Sequence, residues 1–256
     1  MQIKTKYLIL SLILIASVLL SIFLYTKFEE AEKEKQILIV KKFQPRLLRQ
    51  SPLLLKKEDF EQLSPWQKYV TPFDSEVQKI ANEIKNEREA YKTAVKWTWV
   101  SDITLNGVEE KWLMPHEFLS NTPNYPTNPV PGKPASDCEE QAYTLVSLLR
   151  AIGVKAENVR VVVGEVNFSG QRGGHAWVEI YENGKWFALE ATSGSYWDDE
   201  EKKFHDRRGY PYTYFKNHEY PSVEIWGYFN DIYYYNPSTE EGNAPFHWKN
   251  VILMPS

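Results

Sequence analysis

SDCEEQAYTLVSLLRAIG, residues 136–153, holds the one cysteine of the chain, Cys138, at the start of a segment whose apolar residues recur at helical spacing. Leu145, Leu148, Leu149 and Ile152 give it a face to bury, and Gly153 stands where a left-handed C-terminal cap is expected. Ser136 is the expected N-cap, and Glu139 three residues on completes a capping box, which sets Cys138 in the first turn. Unpaired backbone N–H groups and the positive end of the helix dipole favour a thiolate there. Asp137, Glu139 and Glu140 crowd the same turn with negative charge and push the other way, so a reactive sulfur needs a partner base. The plain alternative for a lone cysteine is a small buried hydrophobe.

A partner lies in GGHAWVEIYENGKWFALEATSG, residues 173–194, where Asn183-Gly184 between two alternating segments is a strong hairpin signal. If these two residues form the loop, Glu182 pairs with Lys185, Trp177 faces Glu190 and His175 faces Thr192. His175 and Glu190 then become diagonal neighbours on one face, with backbones roughly 7 Å apart, within reach for an imidazole and a carboxylate. The opposite face, Ala176, Val178 and Ile180 against Phe187, Leu189 and Ala191, is core. A thiol, an imidazole and an orienting carboxylate form the set that nucleophilic cysteine chemistry requires.

From about Glu76 to about Ser195 the chain resembles the transglutaminase-like superfamily of cysteine enzymes. The resemblance puts Cys138 in the place of the nucleophile, His175 in that of the base and Glu190 in that of the orienting acid. Two positions depart from the family pattern: Ser136 stands where Gly usually precedes the Asp-Cys pair, and Glu190 stands where Asp is usual. In some relatives a Trp upstream of the cysteine donates to the oxyanion. Trp112 is the candidate for that donor, with Trp97 and Trp99 behind it, large core aromatics being the alternative for each.

The fold implied is α+β, a papain/transglutaminase-like core with the nucleophile helix packed on an antiparallel sheet. A chain that is 43% apolar and 14% aromatic can bury a substantial core. The net charge of -4, with both signs interspersed, gives no basic footprint for nucleic acid. One cysteine excludes an intrachain disulfide and a Cys-rich zinc site. The five histidines, His116, His175, His205, His218 and His247, show no metal-binding helical spacing, so no metal and no cofactor is expected.

Tyr7 to Tyr25, YLILSLILIASVLLSIFLY, is uncharged, mostly apolar and bounded by tyrosines, long enough at ~1.5 Å per residue to cross a hydrocarbon core of about 30 Å. No small-x-small cleavage site follows it, so an uncleaved anchor is expected rather than a removed signal peptide. The expected organisation is a tail over 1–6, a transmembrane anchor over 7–25, a charged stalk and linker over 26–71 and the enzyme-like domain over 72–256, on the extracytoplasmic side of the cell membrane. Asp74 or Ser75 is expected to cap one long helix through Val77, Ile80, Ala81, Ile84, Tyr91, Ala94 and Val95. Residues 115–134 carry six prolines and three asparagines, a turn-rich approach to Cys138 that shapes a cleft. Residues 158–167 read as a strand and SGQRGG as the loop before His175, while the aromatic-dense residues 196–250 are expected to complete the sheet and wall the cleft, a carbohydrate or peptide platform being the sharper alternative to ordinary packing.

The function expected is that of a membrane-anchored cysteine enzyme acting on peptide or carboxamide bonds of a protein or peptide through an acyl-enzyme. Hydrolysis is favoured over cross-linking. The alternative is an inactive membrane-tethered module of the same fold that binds protein or glycan. Oligomeric state is not legible in the sequence.

Overall fold

The computed structural model describes residues 26–27 and 64–249. The apolar run 7–25 lies outside these, and among the described residues no helix is long and apolar enough to cross a membrane. Packing begins before Pro72: a 3-10 turn over Ser64–Tyr69 leads in, Val70 is buried, and Trp66 and Tyr69 pack against the main core. The core boundary therefore lies some residues earlier than the composition of the linker suggests.

Two short helices follow, α1 (Ser75–Ala81) and α2 (Glu87–Ala94), in place of the one long helix expected. Asp74 caps the first by accepting from the N–H groups of Glu76 and Val77. The break is made by a second cap: Asn86 accepts from Glu89 N–H, and the Glu89 carboxylate accepts from Lys85 N–H at 2.9 Å. Such reciprocal side-chain bonds start a new helix at a point where apolar phase alone would continue the old one. Next come β1 (Thr98–Trp99), α3 (Asp102–Asn106), the proline-rich approach, β2 (Ala135–Ser136), α4 (Cys138–Ala151), β3 (Val159–Phe168), β4 (Gln171–Glu182) and β5 (Lys185–Leu189). The chain ends with β6 (Tyr196–Asp198), β7 (Lys203–His205), β8 (Ser222–Phe229), β9 (Tyr234–Asn236), β10 (Glu241–Gly242) and α5 (Phe246–Lys249).

The architecture is mixed α+β. Its main sheet has six antiparallel strands in the order β10-β9-β8-β3-β4-β5. Strand β3 is central and reads as an almost unbroken Val run because both sheet faces are covered. By strand alternation Val159, Val161 and Val163 join the core against α4, whereas Val162, Val166 and Phe168 join a second cluster on the outer face. The same split separates Ala176, Val178 and Ile180 from Trp177. Trp248 of α5 helps cover the outer cluster, in which the buried Arg160 guanidinium lies 3.7 Å from the Tyr228 ring centroid and bonds to Glu179.

The turns of the β3–β4 and β4–β5 hairpins are tight. Asn183 and Gly184 have φ of 53° and 83°, and Ser169 and Gly170 have 56° and 93°, the positive pair that two-residue hairpins require. The register expected from Asn183-Gly184 is present from Glu182↔Lys185 to Val178↔Leu189. The loop expected at SGQRGG shrinks to Ser169-Gly170, because Gln171 to Gly174 pair with β3. Strands β8 to β10 do extend the sheet. The second, smaller sheet, β2-β1-β6-β7, carries no signal in the sequence; its strands are two or three residues long.

Candidate active site

Helix α4 is buried around almost its whole circumference from Glu139 to Leu149, so it is a central helix rather than an amphipathic one. Its C-terminus follows the expected pattern: Gly153 has φ 98°, its N–H bonds Arg150 C=O, and Val154 N–H bonds Leu149 C=O. Its N-terminus does not. Ser136 belongs to β2, Asp137 takes the N-cap position without a side-chain cap bond, and the Ser136–Glu139 capping box is not formed. Instead Ser136 Oγ donates to Glu140 Oε2 at 2.8 Å. Glu140 Oε1 accepts from Leu113 N–H and Tyr143 Oη, which ties the irregular segment before Pro115 to the first turn. The small sheet outcompetes the cap because Ser136 C=O accepts from Val100 N–H.

Cys138 is thereby the first residue of the helix and half-buried. Its thiol donates to Glu139 Oε2 at 3.3 Å, and its sulfur accepts from the N–H of Ala176, the residue after His175. Burial, followed by the charge of Asp137, pushes the thiol pKa well above the ordinary cysteine value and outweighs the Ala176 backbone and Glu139, which lower it. The charges of Asp137 and Glu110 thus disfavour the thiolate, and the isolated thiol is neutral.

His175 lies on β4 opposite Gly164 and is 8% exposed. Its Nε2 is 2.9 Å from Glu190 Oε2. Strand β5 ends at Leu189, and Glu190 begins the 3-10 turn Ala191–Ser193, where its side chain serves as the cap. Oε1 accepts from Thr192 N–H at 3.0 Å and Thr192 Oγ1 at 2.6 Å; Oε2 accepts from Tyr220 Oη at 2.5 Å as well as facing His175. Behind it, Tyr91 of α2 donates to the Glu190 carbonyl. Burial pushes the Glu190 carboxyl up, but His175 and the bonds from His175, Thr192 and Tyr220 outweigh it and hold the group below the usual carboxylate range. An ionised carboxylate only accepts, so the proton of the His175–Glu190 bond resides on Nε2 and Nδ1 is the basic nitrogen.

Trp112 donates its indole N–H to Glu110 at 2.6 Å and packs its ring 4.0 Å from that of Trp66. Its ring also lies 5.7 Å from that of Tyr143 of α4, and its partner Glu110 acts on the Cys138 thiol. Trp97 is buried edge-on to Phe118, and Trp99 lies in β1. Asp198 and Asp199, the other acids near the hairpin, are engaged away from His175: Asp198 Oδ1 accepts from the N–H groups of Glu200 and Glu201, and Asp199 accepts from Ser101 and Thr104. Thr192 and Tyr220 were not legible as site residues; Tyr220 lies thirty positions beyond the acid it touches.

Among the described residues, two groups bring metal-type ligand atoms within 4.8 Å of one another, which histidine spacing alone did not reveal. They are Asp137, Glu139 and Glu140, and Asp198, Glu201 and His205. Members of each are already used as braces, Glu140 by three donors and Asp198 by the turn it caps.

The acids around the first turn make stability depend on pH. Asp102 of α3 is pushed up to about 8 by burial and then by Glu140, and burial followed by neighbouring acids raises Asp137 and Glu139 as well. A carboxyl whose folded pKa exceeds its unfolded value binds more protons in the native state between the two. Stability therefore falls as pH rises from about 4 to about 8, by about 1.4 kcal/mol per pH unit for each such proton. Melting temperatures at pH 5 and pH 8 are expected to be lower at the higher pH, with a smaller difference in Asp102→Asn. A melting temperature that rises across this range contradicts the assignment.

Residues 77–191 match the family model of the transglutaminase-like superfamily. No curated protein matches the chain. Among solved structures, Legionella pneumophila LapG in its EGTA-treated form is 13% identical with a TM-score of 0.42, over 75% of this chain and 91% of that one. The calcium-bound form is 14% identical with a TM-score of 0.41, over 75% and 93%. A candidate cysteine protease from Cytophaga hutchinsonii is 16% identical with a TM-score of 0.35, over 52% and 42%.

Proposed function

Starting from a core over residues 77–191 that belongs to the transglutaminase-like superfamily, we propose that the protein is a cysteine enzyme that cleaves peptide or carboxamide bonds through an acyl-enzyme. The observation that carries this reading is the His175 Nε2 to Glu190 Oε2 bond at 2.9 Å, on the strand whose next N–H, that of Ala176, meets the Cys138 sulfur. His175 Nδ1 takes the thiol proton, and the thiolate attacks the carbonyl carbon. Backbone N–H groups at the start of α4 receive the oxyanion. The imidazolium returns the proton to the leaving nitrogen, which departs as amine or ammonia and leaves a thioester on Cys138. Water, activated by the same imidazole, then releases the acid. Hydrolysis is the favoured outcome because water needs no binding site of its own, whereas cross-linking needs an amine acceptor.

The test is mass spectrometry of the full chain with a pool of peptides containing Gln and Asn. The expected result is an acyl adduct on the Cys138 peptide that is absent in His175→Ala. Ordinary alkylation of Cys138 by iodoacetamide with no acyl adduct overturns the proposal. It would favour a second reading, a binding module with a decayed site, to which the neutral thiol held by Glu139 lends support.

The apolar run 7–25 serves in this reading as a single-pass anchor, with the domain on the extracytoplasmic side. Protease added to intact cells is then expected to remove the domain, and a chain starting after residue 26 is expected in the soluble fraction. A domain protected in intact cells reverses the orientation.

A further inference from the structure

Tyr220 lies outside the matched superfamily core, yet its hydroxyl reaches the same oxygen that orients the imidazole. Tyr220 Oη is 2.5 Å from Glu190 Oε2, and His175 Nε2 is 2.9 Å from that oxygen. The phenol is not a loose surface group. Its ring stacks on Trp177 at 4.8 Å, with Phe215 edge-on at 5.0 Å and Phe168 edge-on at 6.0 Å. Trp177 in turn stacks with the His175 ring at 6.3 Å, so the two donors to Glu190 are set by one aromatic column. The backbone at this point is held too: Asn167 N–H of β3 bonds Pro221 C=O at 2.8 Å. Ring packing alone would be satisfied by phenylalanine; the hydroxyl adds a bond aimed at the acid.

We propose that Tyr220 is a positioning residue that sets the basicity of His175 by sharing Glu190 Oε2 with it. This rests on the reading of His175 as the base. A hydrogen bond to the carboxylate withdraws charge from the oxygen that His175 faces. With the phenol in place Glu190 stays ionised and orients Nε2–H, but it attracts an imidazolium less strongly than an unshared carboxylate would. Nδ1 is thereby left ready to take the thiol proton. Burial and the Glu190 charge hold the phenol pKa well above the ordinary value, so Tyr220 remains a donor throughout the working range. The other titratable groups close enough to act on this assembly are Cys138 and Tyr210, which act on the Tyr220 phenol, and Tyr91, which bonds the Glu190 carbonyl.

Removing the hydroxyl acts in one direction twice over. Glu190 loses a donor and its own pKa rises, and the remaining charge concentrates on His175 and raises the pKa of the imidazole. The acid limb of activity should therefore move to higher pH. In Tyr220→Phe, kcat on the acid limb is expected to fall about threefold to tenfold with KM nearly unchanged, because the residue acts on the base and not on bound substrate.

The decisive readout is the titration of the His175 imidazole by NMR in the full chain labelled at histidine, which needs no substrate. It should move up by about half a unit to one unit in Tyr220→Phe. Replacing Tyr220 by 3-fluorotyrosine, a stronger donor of nearly the same shape, should move it down, and this variant decides the matter if Tyr220→Phe does not fold. An unchanged His175 titration in whichever variant folds overturns the proposal, whatever happens to the melting temperature, since a packing role moves stability alone. If the wild-type chain forms no acyl adduct, the catalytic reading fails while the NMR titration still reports on Tyr220.

Discussion

Cys138→Ala is expected to abolish acyl-enzyme formation and turnover while leaving the melting temperature within a few degrees of the parent. The sulfur is the only atom at this position able to form the thioester, so no residual covalent route remains. Its structural ties are few. It is half-buried, donates one weak bond to Glu139 and accepts one from Ala176 N–H. Losing them costs about 1 kcal/mol, which in a domain of this size moves the melting temperature by roughly 2–4 °C. Melting measured beside turnover separates the cases, and a large loss of stability with no distinct catalytic defect would return Cys138 to the core.

Glu190→Gln is expected to lower turnover by on the order of tenfold to a thousandfold, less than loss of the nucleophile, since a group that orients and stabilises does not react. The surroundings sharpen this expectation. Both carboxylate oxygens face donors: Thr192 N–H and Oγ1 on one side, His175 and Tyr220 on the other. An amide offers one acceptor, so its NH₂ must point at donors whichever way it is placed. If the NH₂ faces His175, the tautomer that leaves Nδ1 basic is disfavoured; if it faces Thr192, the 3-10 turn loses its cap. A stability loss of about 1–3 kcal/mol should accompany the kinetic one. Glu190→Asp keeps the charge and should retain more activity than the amide. An unchanged rate in Glu190→Gln would mean that His175 is oriented by another group.

The parts of the site that the sequence exposes are those fixed by local rules. Asn183-Gly184 dictates a two-residue turn, the turn dictates register, and register places His175 beside Glu190 without knowledge of the rest of the chain. Gly153 is equally readable, because a left-handed residue ending a helix has few substitutes. What escaped depends on competition between distant partners. Ser136 has the composition of an N-cap, but pairing of β2 with β1 claims its backbone and Glu140 claims its hydroxyl. The apolar phase from Val77 to Val95 continues across a break that Asn86 and Glu89 impose by local hydrogen bonds. Tyr220 carries no motif at all. Its role arises because β8 pairs with β3 and brings the residues before it against the outer face of the hairpin.

The borders of the two sheets have a consequence for how the protein behaves in company. A strand border offers unpaired N–H and C=O groups to any extended chain, and long flat borders invite copies of a protein to join one another. Here the outermost strands are β10 and β2 with two residues each, β7 with three and β5 with five. The longest of them, β5, is overlooked by the segment before β8: Tyr212 bonds Glu182, and Lys216 reaches both Glu182 and the Phe187 ring. A lysine at such a border adds charge where a guest strand would have to dock. The inner strands are longer than these neighbours: among the described residues β4 from Gln171 to Trp177 pairs with no strand on the β5 side, and β8 from Ser222 to Gly227 pairs with none on the β9 side, so the border open to an extended chain runs past His175 itself.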